Sequence, residues 1–298
     1  MRLRQLLPLG GALAVWPLVE PHLPVLRHVR VAVLEPGSEP IRVLHLSDLH
    51  LLPRHRRRAA WVRRLASEQA DLVVSTGDHW SSAAALDLLT SALGALTADG
   101  TPGVFVPGNN DSFTPSRPSL TDYLRGGGEP VRRRPDLPWD DAAQALEAVG
   151  WTDLTQRRLS LQVAGRAVTL AGTADGHLRR DRYGEVSGAV DGLGIGVTHT
   201  PVRRLLRRFA SDGYALVLAG HTHGGQLRVP GVGALITNCD LERPRARGLS
   251  RNRPPGQSDE GGWLHVSAGL GTSPYAPVRL CCRPEATLLQ LVAAEAVR

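Results

Sequence analysis

From Ile41 onward, apolar residues come in short runs that close on polar or small residues, and the stretches between them carry helical spacing. The run Ile41–Leu46 predicts a strand ending at Ser47-Asp48. A helix follows over Ala59–Gln69, with Trp61, Val62 and Leu65 on one face, then a strand over Leu72–Ser75 that stops at Thr76-Gly77-Asp78. A second helix is predicted over Ala83–Leu96, and a third strand, Gly103–Val106, runs into Pro107-Gly108-Asn109-Asn110-Asp111. Leu159–Val163 and Ala167–Ala171, joined through Gly165-Arg166, predict a hairpin. Further strands are expected at Gly194–Thr198, Ala215–Ala219, Gln226–Val229, Trp263–Val266 and Ala286–Val292. Strands alternating with helices predict an α/β architecture. Two stretches read as irregular: Thr114–Asp140, with Gly126-Gly127-Gly128 and Arg132 to Arg134, and Asn238–Glu260, with Pro254-Pro255-Gly256.

Composition narrows this picture without deciding it. A chain of 298 residues with 42% apolar and 21% charged residues can bury a core, which argues against disorder or a repeat array. All 35 basic residues are arginine, and the formal charge of +7 favours anionic partners. Three cysteines, Cys239 and the neighbours Cys281-Cys282, do not form a disulfide framework or a zinc ribbon, and read as buried filler. Arg2 and Arg4 precede an apolar run from Leu6 to Val19, broken by Pro8 and Pro17. That run is too short to span a bilayer comfortably and lacks a small-residue cleavage site. Residues 1–40 are therefore read as an apolar segment and linker, and 41–298 as the functional domain. The positive flank favours a membrane tether; a buried N-terminal helix in a cytoplasmic protein is the alternative.

Five polar clusters sit where strands end: Asp48-Leu49-His50, Gly77-Asp78, Gly108 to Asp111, His199, and Gly220-His221-Thr222-His223. In an α/β sheet, loops beyond the carboxyl ends of strands are where ligands bind, so the clusters can converge. Carboxylate, imidazole and amide donors together suit divalent Mn, Fe or Zn, whereas magnesium alone would want mostly oxygen. Each motif alone is weak; their ordered set in one chain points to a metal site. His45 and His265 lie inside apolar runs and are expected in the core.

The set resembles the calcineurin-like metallophosphoesterase family, most closely the bacterial branch with Gly-His-Thr-His-Gly-Gly-Gln, here Gly220 to Gln226. The resemblance implies a four-layer α/β/β/α sandwich of two mixed β-sheets flanked by helices. It implies two divalent metal ions, one held by Asp48, His50, Asp78 and His223, the other by Asp78 as a shared bridge with Asn109, His199 and His221. A hydroxide held between the ions would then attack a phosphate ester or anhydride in line. Within the family the nearest relatives suggest a small phosphorylated substrate, a lipid-linked or sugar-nucleotide diphosphate.

One position departs from the family. Where members carry His after the metal-binding Asn, this chain has Asn110, which cannot act as a general acid near neutral pH. Either the leaving group is a good one, or His79 or His177 supplies the proton; His79, directly after Asp78, is the preferred reading, with support of a metal ligand as its alternative. Two rival functions fit parts of the sequence. A nucleic-acid-acting enzyme or binding module is motivated by Arg56 to Arg58, Arg132 to Arg134 and the Arg203, Arg204, Arg207, Arg208 cluster. It is held behind because aromatic residues are only 4% of the chain. A metal-binding protein that has lost catalysis is motivated by Asn110.

Overall fold

The computed structural model describes residues 15–115, 134–253 and 261–294. The core of the N-terminal apolar run, most of the Gly- and Arg-rich excursion, and Pro254-Pro255-Gly256 therefore lie outside the described residues. Fourteen strands are described: β1 (Val25–Leu34), β2 (Ile41–Leu46), β3 (Leu72–Ser75), β4 (Gly103–Phe105), β5 (Trp151–Asp153), β6 (Arg157–Val163), β7 (Arg166–Gly172), β8 (Leu193–Val197), β9 (Leu216–Ala219), β10 (Arg228–Val229), β11 (Gly233–Ala234), β12 (Gly248–Asn252), β13 (Gly262–Val266) and β14 (Glu285–Ala293). The α-helices are α1 (Arg56–Arg64), α2 (Leu86–Gly94), the single turn α3 (Asn109–Ser112), α4 (Trp139–Ala148) and α5 (Arg203–Ser211).

The strands form two mixed six-stranded sheets, ordered β1-β14-β2-β3-β4-β5 and β12-β13-β9-β8-β7-β6. In the first, β2, β3, β4 and β5 run parallel to one another and β14 is antiparallel to β2. In the second, β7, β8, β9 and β13 are parallel, with antiparallel β6 and β12 at the edges. Val43, Val74, Val104 and Leu289 from one sheet and Leu170, Ile195, Val197 and Leu218 from the other share a buried cluster between them. The outer face of the first sheet is covered by α1, α2 and α4 through Val62, Leu89, Leu93 and Leu146. The second is covered by α5 through Leu205, Leu206 and Phe209. This is the four-layer sandwich expected from the sequence. Strands buried on both faces explain the near-continuous apolar runs.

The cluster Arg203, Arg204, Arg207, Arg208 is the exposed face of amphipathic α5, whose Leu205, Leu206 and Phe209 are buried. Arg204 pairs with Asp181, Arg203 lies 3.6 Å from Glu242, and Arg208 sits over the Tyr183 ring, so the cluster has a structural explanation. Two expectations shift. Val25–Leu34, read as linker, is a strand pairing in parallel with β14, so the sheet extends N-terminal to Ile41. The stretch Asn238–Glu260, read as a loop, contributes β12 at the edge of the second sheet. Of the cysteines, all free, Cys282 is buried but Cys281 is exposed and so is not filler.

His45 from β2 and His265 from β13 do lie in the core, their Nδ1 atoms 2.9 Å apart across the two sheets. The chain before β1 is docked at its end: the buried Glu20 carboxylate accepts the backbone N–H groups of Cys281 (2.9 Å) and Cys282 (2.5 Å). Among the described residues no helix is long and apolar enough to cross a membrane.

Candidate active site

The five polar clusters follow strands β2, β3, β4, β8 and β9, all in the parallel parts of the two sheets, so their loops meet at one end of the sandwich. Holding them there requires unusual backbone. Asp48, His50, Asp78, His221 and His223 all have positive φ, between 43° and 68°, a conformation sparsely populated by residues with a side chain. Such strain persists only where the surroundings enforce it, and it concentrates at functional sites. Two glycines make the close approach feasible. A Cβ on Gly220 would lie 1.8 Å from Ser47 Oγ and 2.6 Å from Asp48 Oδ2, and one on Gly108 would lie 2.2 Å from Asp78 Oδ1.

The side chains of Asp48, His50, Asp78 and His223 each bring one donor atom into a group lying within 4.8 Å of one another. His50 Nε2 is 3.2 Å from His223 Nε2 and 3.4 Å from Asp78 Oδ2, and His223 Nε2 is 3.5 Å from Asp48 Oδ1. On the other side of Asp78, His199 Nε2 lies 3.5 Å from its Oδ2 and 3.3 Å from His221 Nδ1. Asp78 thus stands between two histidine groups. Asn109 Oδ1 is buried without a hydrogen-bond partner. An orphaned buried acceptor of this kind calls for an explanation, and a cation supplies one.

Each of the four imidazoles is fixed from behind. His199 Nδ1 donates to Thr76 O (2.7 Å), His223 Nδ1 to Gly271 O (3.2 Å) and His221 Nε2 to Asn238 O (3.2 Å), while His50 Nδ1 meets Ser81 Oγ (3.3 Å). Spending one nitrogen on an outer partner aims the other at the shared centre, the arrangement that orients metal-ligating histidines.

The electrostatics agree. Burial pushes His50 and His221 down to about 4 and His223 well below its ordinary value, so these rings are neutral and present lone pairs. Burial pushes Asp48 up to about 6. For His199, burial acts downward, but the Asp78, Asp48 and Asp175 carboxylates together outweigh it and hold the ring well above its ordinary value. Asp78 is held well below the carboxylate range by the same pairing, against the opposing effect of its burial. The proton kept by His199 occupies a place that a cation would take, and metal binding to such sites releases protons. Carboxylate and imidazole donors gathered on one centre, with a buried unpartnered amide oxygen in a neighbouring loop, fit a divalent transition metal.

The three remaining sequence candidates have other surroundings. Asn110 donates from its backbone N to Asp78 Oδ1 (2.8 Å) and from Nδ2 to Asp78 Oδ2 (2.7 Å), steering that carboxylate. His79 follows Asp78 in sequence but points away from the shared centre. Its Nδ1 bonds Asp111 Oδ2 (2.9 Å), its Nε2 bonds Ser75 Oγ (2.9 Å), and the ring stacks on Trp139. With no exposed surface and both nitrogens engaged, it has the support geometry of the alternative reading, not that of a proton donor to substrate. His177, the second candidate, is partly exposed, and its ring centroid is 5.1 Å from that of His221.

Asp111 and Asp175 carry more than their sequence context suggested, and Arg279 shapes a neighbouring loop. Asp111 accepts the backbone N–H groups of Asp78, His79 and Gly108, locking two of the loops together. The buried Arg279 donates to the carbonyls of Ala268, Gly269 and Gly271, shaping the loop that contacts Asp48 and His223. Asp175 accepts from Thr200 Oγ1 (2.5 Å), keeps its Oδ2 unpartnered, and lines a cavity of about 510 Å³ with Asp140, Asp153, Trp139 and Arg180. Gly108 lines the same cavity, placing it beside the candidate metal ligands.

The sequence profile of calcineurin-like phosphoesterases matches residues 41–225, which contain all seven candidate ligands. The chain belongs to the calcineurin-like phosphoesterase family. As a member it is a phosphoric ester hydrolase of a family that uses divalent metals. It is similar to the phosphodiesterase YaeI of Escherichia coli strain K12, at 27% identity over 90% of this chain and 88% of the relative. An uncharacterized metallophosphoesterase of Aquifex aeolicus is 29% identical over 87% of each chain. Among solved structures, TT1561 of Thermus thermophilus aligns with a TM-score of 0.43 and 13% identity, over 78% of this chain and 91% of that one.

Proposed function

We propose that this calcineurin-like phosphoesterase holds two divalent ions and hydrolyses a phosphodiester or phosphate anhydride. Asp48, His50, Asp78 and His223 would hold one ion; Asp78, Asn109, His199 and His221 would hold the other. The observation that carries the reading is Asp78 between two histidine groups, each ring tethered from behind with its second nitrogen directed at the shared centre. When bound, Mn, Fe or Zn at such a site supplies Lewis acidity and lowers the pKa of water toward neutrality.

The chain's own residues do the rest. Asn110 fixes both oxygens of Asp78, so that carboxylate cannot swing toward one side. Asp111 and His79 form the buried brace beneath it. His177, at the rim beside His221, donates a hydrogen bond to the departing oxygen. The leaving group enters the cavity lined by Asp140, Asp153 and Asp175, whose carboxylates suit the hydroxyls of a sugar. That lining supports a lipid-linked or sugar-nucleotide diphosphate as the finer substrate class.

The test is metal analysis of the purified chain together with turnover of a chromogenic phosphodiester, before and after chelation. Two ions per chain and turnover restored by Mn, Fe or Zn are expected. Metal without turnover would instead support the degenerate reading. A pyrophosphatase panel with nucleotide sugars and lipid-linked diphosphates decides the substrate class.

A further inference from the structure

The large apolar side chains exposed among the described residues are Val15, Trp16, Leu18, Val19, Val229, Val232, Leu235 and Tyr275. They are not scattered. Four lie on the helical turn 15–19, three on or beside the β10–β11 hairpin, and one on the loop before β14.

Hydrogen bonds draw these segments together. Arg279 N donates to Pro17 O (2.9 Å), Arg228 N to Leu280 O (2.9 Å), Leu280 N to Gln226 O (3.0 Å), and Gln226 Nε2 to Ala276 O (2.8 Å). The segment from Tyr275 to Leu280 is therefore flanked by the hairpin on one side and the N-terminal turn on the other. The hairpin itself continues directly from His223-Gly224-Gly225, so this apolar surface borders the metal site. Exposed apolar side chains gathered on neighbouring segments of a folded protein mark a contact with something else.

We propose that this surface docks on an anionic lipid bilayer, lying on it and not spanning it. Four observations select that occupant. Val15, Leu18 and Val19, at i, i+3 and i+4, share one face of the turn. Trp16 and Tyr275 add exposed aromatic rings, the residue type that settles at headgroup depth, with Trp16 Nε1 tied to Glu20 Oε2 (2.9 Å) so that its ring is held in place. The chain leading into Val15 is apolar from Leu6 and is preceded by Arg2 and Arg4. Arg228 and Arg283 border the surface and donate to backbone carbonyls: Arg228 Nη1 to Gly224 O (2.8 Å) and Arg283 Nε to Leu23 O (2.8 Å). Arginines around an apolar face attract anionic headgroups and repel a second copy of a chain carrying a formal +7.

The experiment is co-sedimentation of the full chain with vesicles of phosphatidylcholine, with and without phosphatidylglycerol. The wild type binds the anionic vesicles, and the double variant Val232→Asp/Leu235→Asp, which leaves the N-terminal segment intact, binds about tenfold less. Leu18→Glu, on the opposite side of the same surface, gives a similar loss and serves if the hairpin variant does not fold. Hydrolysis of a soluble chromogenic phosphodiester by these variants stays at the wild-type rate, which separates this inference from the catalytic reading. Three results would overturn it: no binding of the wild type to anionic vesicles; undiminished binding of both variants; or a dimer in light scattering that the hairpin variant converts to monomer.

Discussion

Replacing Asp111 by Asn tests whether the site is held by a buried carboxylate or merely surrounds one. Asp111 Oδ2 accepts from Asp78 N (2.9 Å), Gly108 N (2.8 Å) and His79 Nδ1 (2.9 Å), while Oδ1 accepts from His79 N (2.7 Å). An amide would keep its oxygen toward the three donors and turn its NH₂ against the His79 N–H, a donor facing a donor. Losing the charge weakens each of the three retained bonds by about 1 kcal/mol, because bonds to charged groups are roughly twice as strong as neutral ones. The orphaned N–H adds about 1–3 kcal/mol, giving about 4–6 kcal/mol in all. That is a large part of a domain's typical ~5–15 kcal/mol. Urea unfolding of the metal-free variant should show this loss, and metal affinity should fall by about 10–100-fold as Asp78 loses its support. A change below about 1 kcal/mol with unaltered metal binding would refute the assigned role.

Other consequences follow from the same geometry. Gly220→Ala drives a Cβ into Ser47 Oγ and Asp48 Oδ2, and the expected loss of about 1–3 kcal/mol with reduced metal content is read by thermal unfolding and metal analysis. His177→Ala should slow hydrolysis of alkyl phosphodiesters more than that of p-nitrophenyl esters; equal effects on both would remove its role toward the leaving group. Burial pushes His265 down to about 4 and, together with His265, holds His45 well below its ordinary value. The unfolded chain takes up these protons near pH 6.5 and the folded chain does not, so stability from the pair is complete above pH 6.5 and is lost as pH falls toward 4. His265 alone accounts for about 3 kcal/mol over that interval. Urea midpoints of the wild type and a His45→Phe/His265→Phe variant between pH 7.5 and 5 should converge on acidification, and parallel curves would contradict this.

Much of this site was legible because its residues close apolar runs: Asp48, Asp78, Asn109, His199 and His221 each follow a strand in the sequence and in space. The sandwich was legible for the same reason, since strands buried on both faces cannot hide their apolar character. What escaped was non-local or locally ambiguous. β1 is held by β14, whose partner residues lie at the opposite end of the chain, and reading the segment as linker passes over the alternating valines Val29, Val31 and Val33 that mark it as a strand. β12 carries Arg251 and Asn252 and gains its identity from pairing with β13. The arginines of α5 masked an amphipathic helix whose narrow apolar face is Leu205, Leu206 and Phe209. His79 shows the limit of adjacency: Gly77 marks a turn, but the positive φ of Asp78 sends neighbouring side chains to different places.

Anomalous diffraction from crystals soaked in manganese tests directly whether Asp78 joins two cations. Two peaks flanking the Asp78 carboxylate, one near His50 and His223 and one near His199 and His221, are the expected result, with the second lost in His199→Ala. A single peak away from Asp78, or none in a protein that turns over its substrate, would contradict the account.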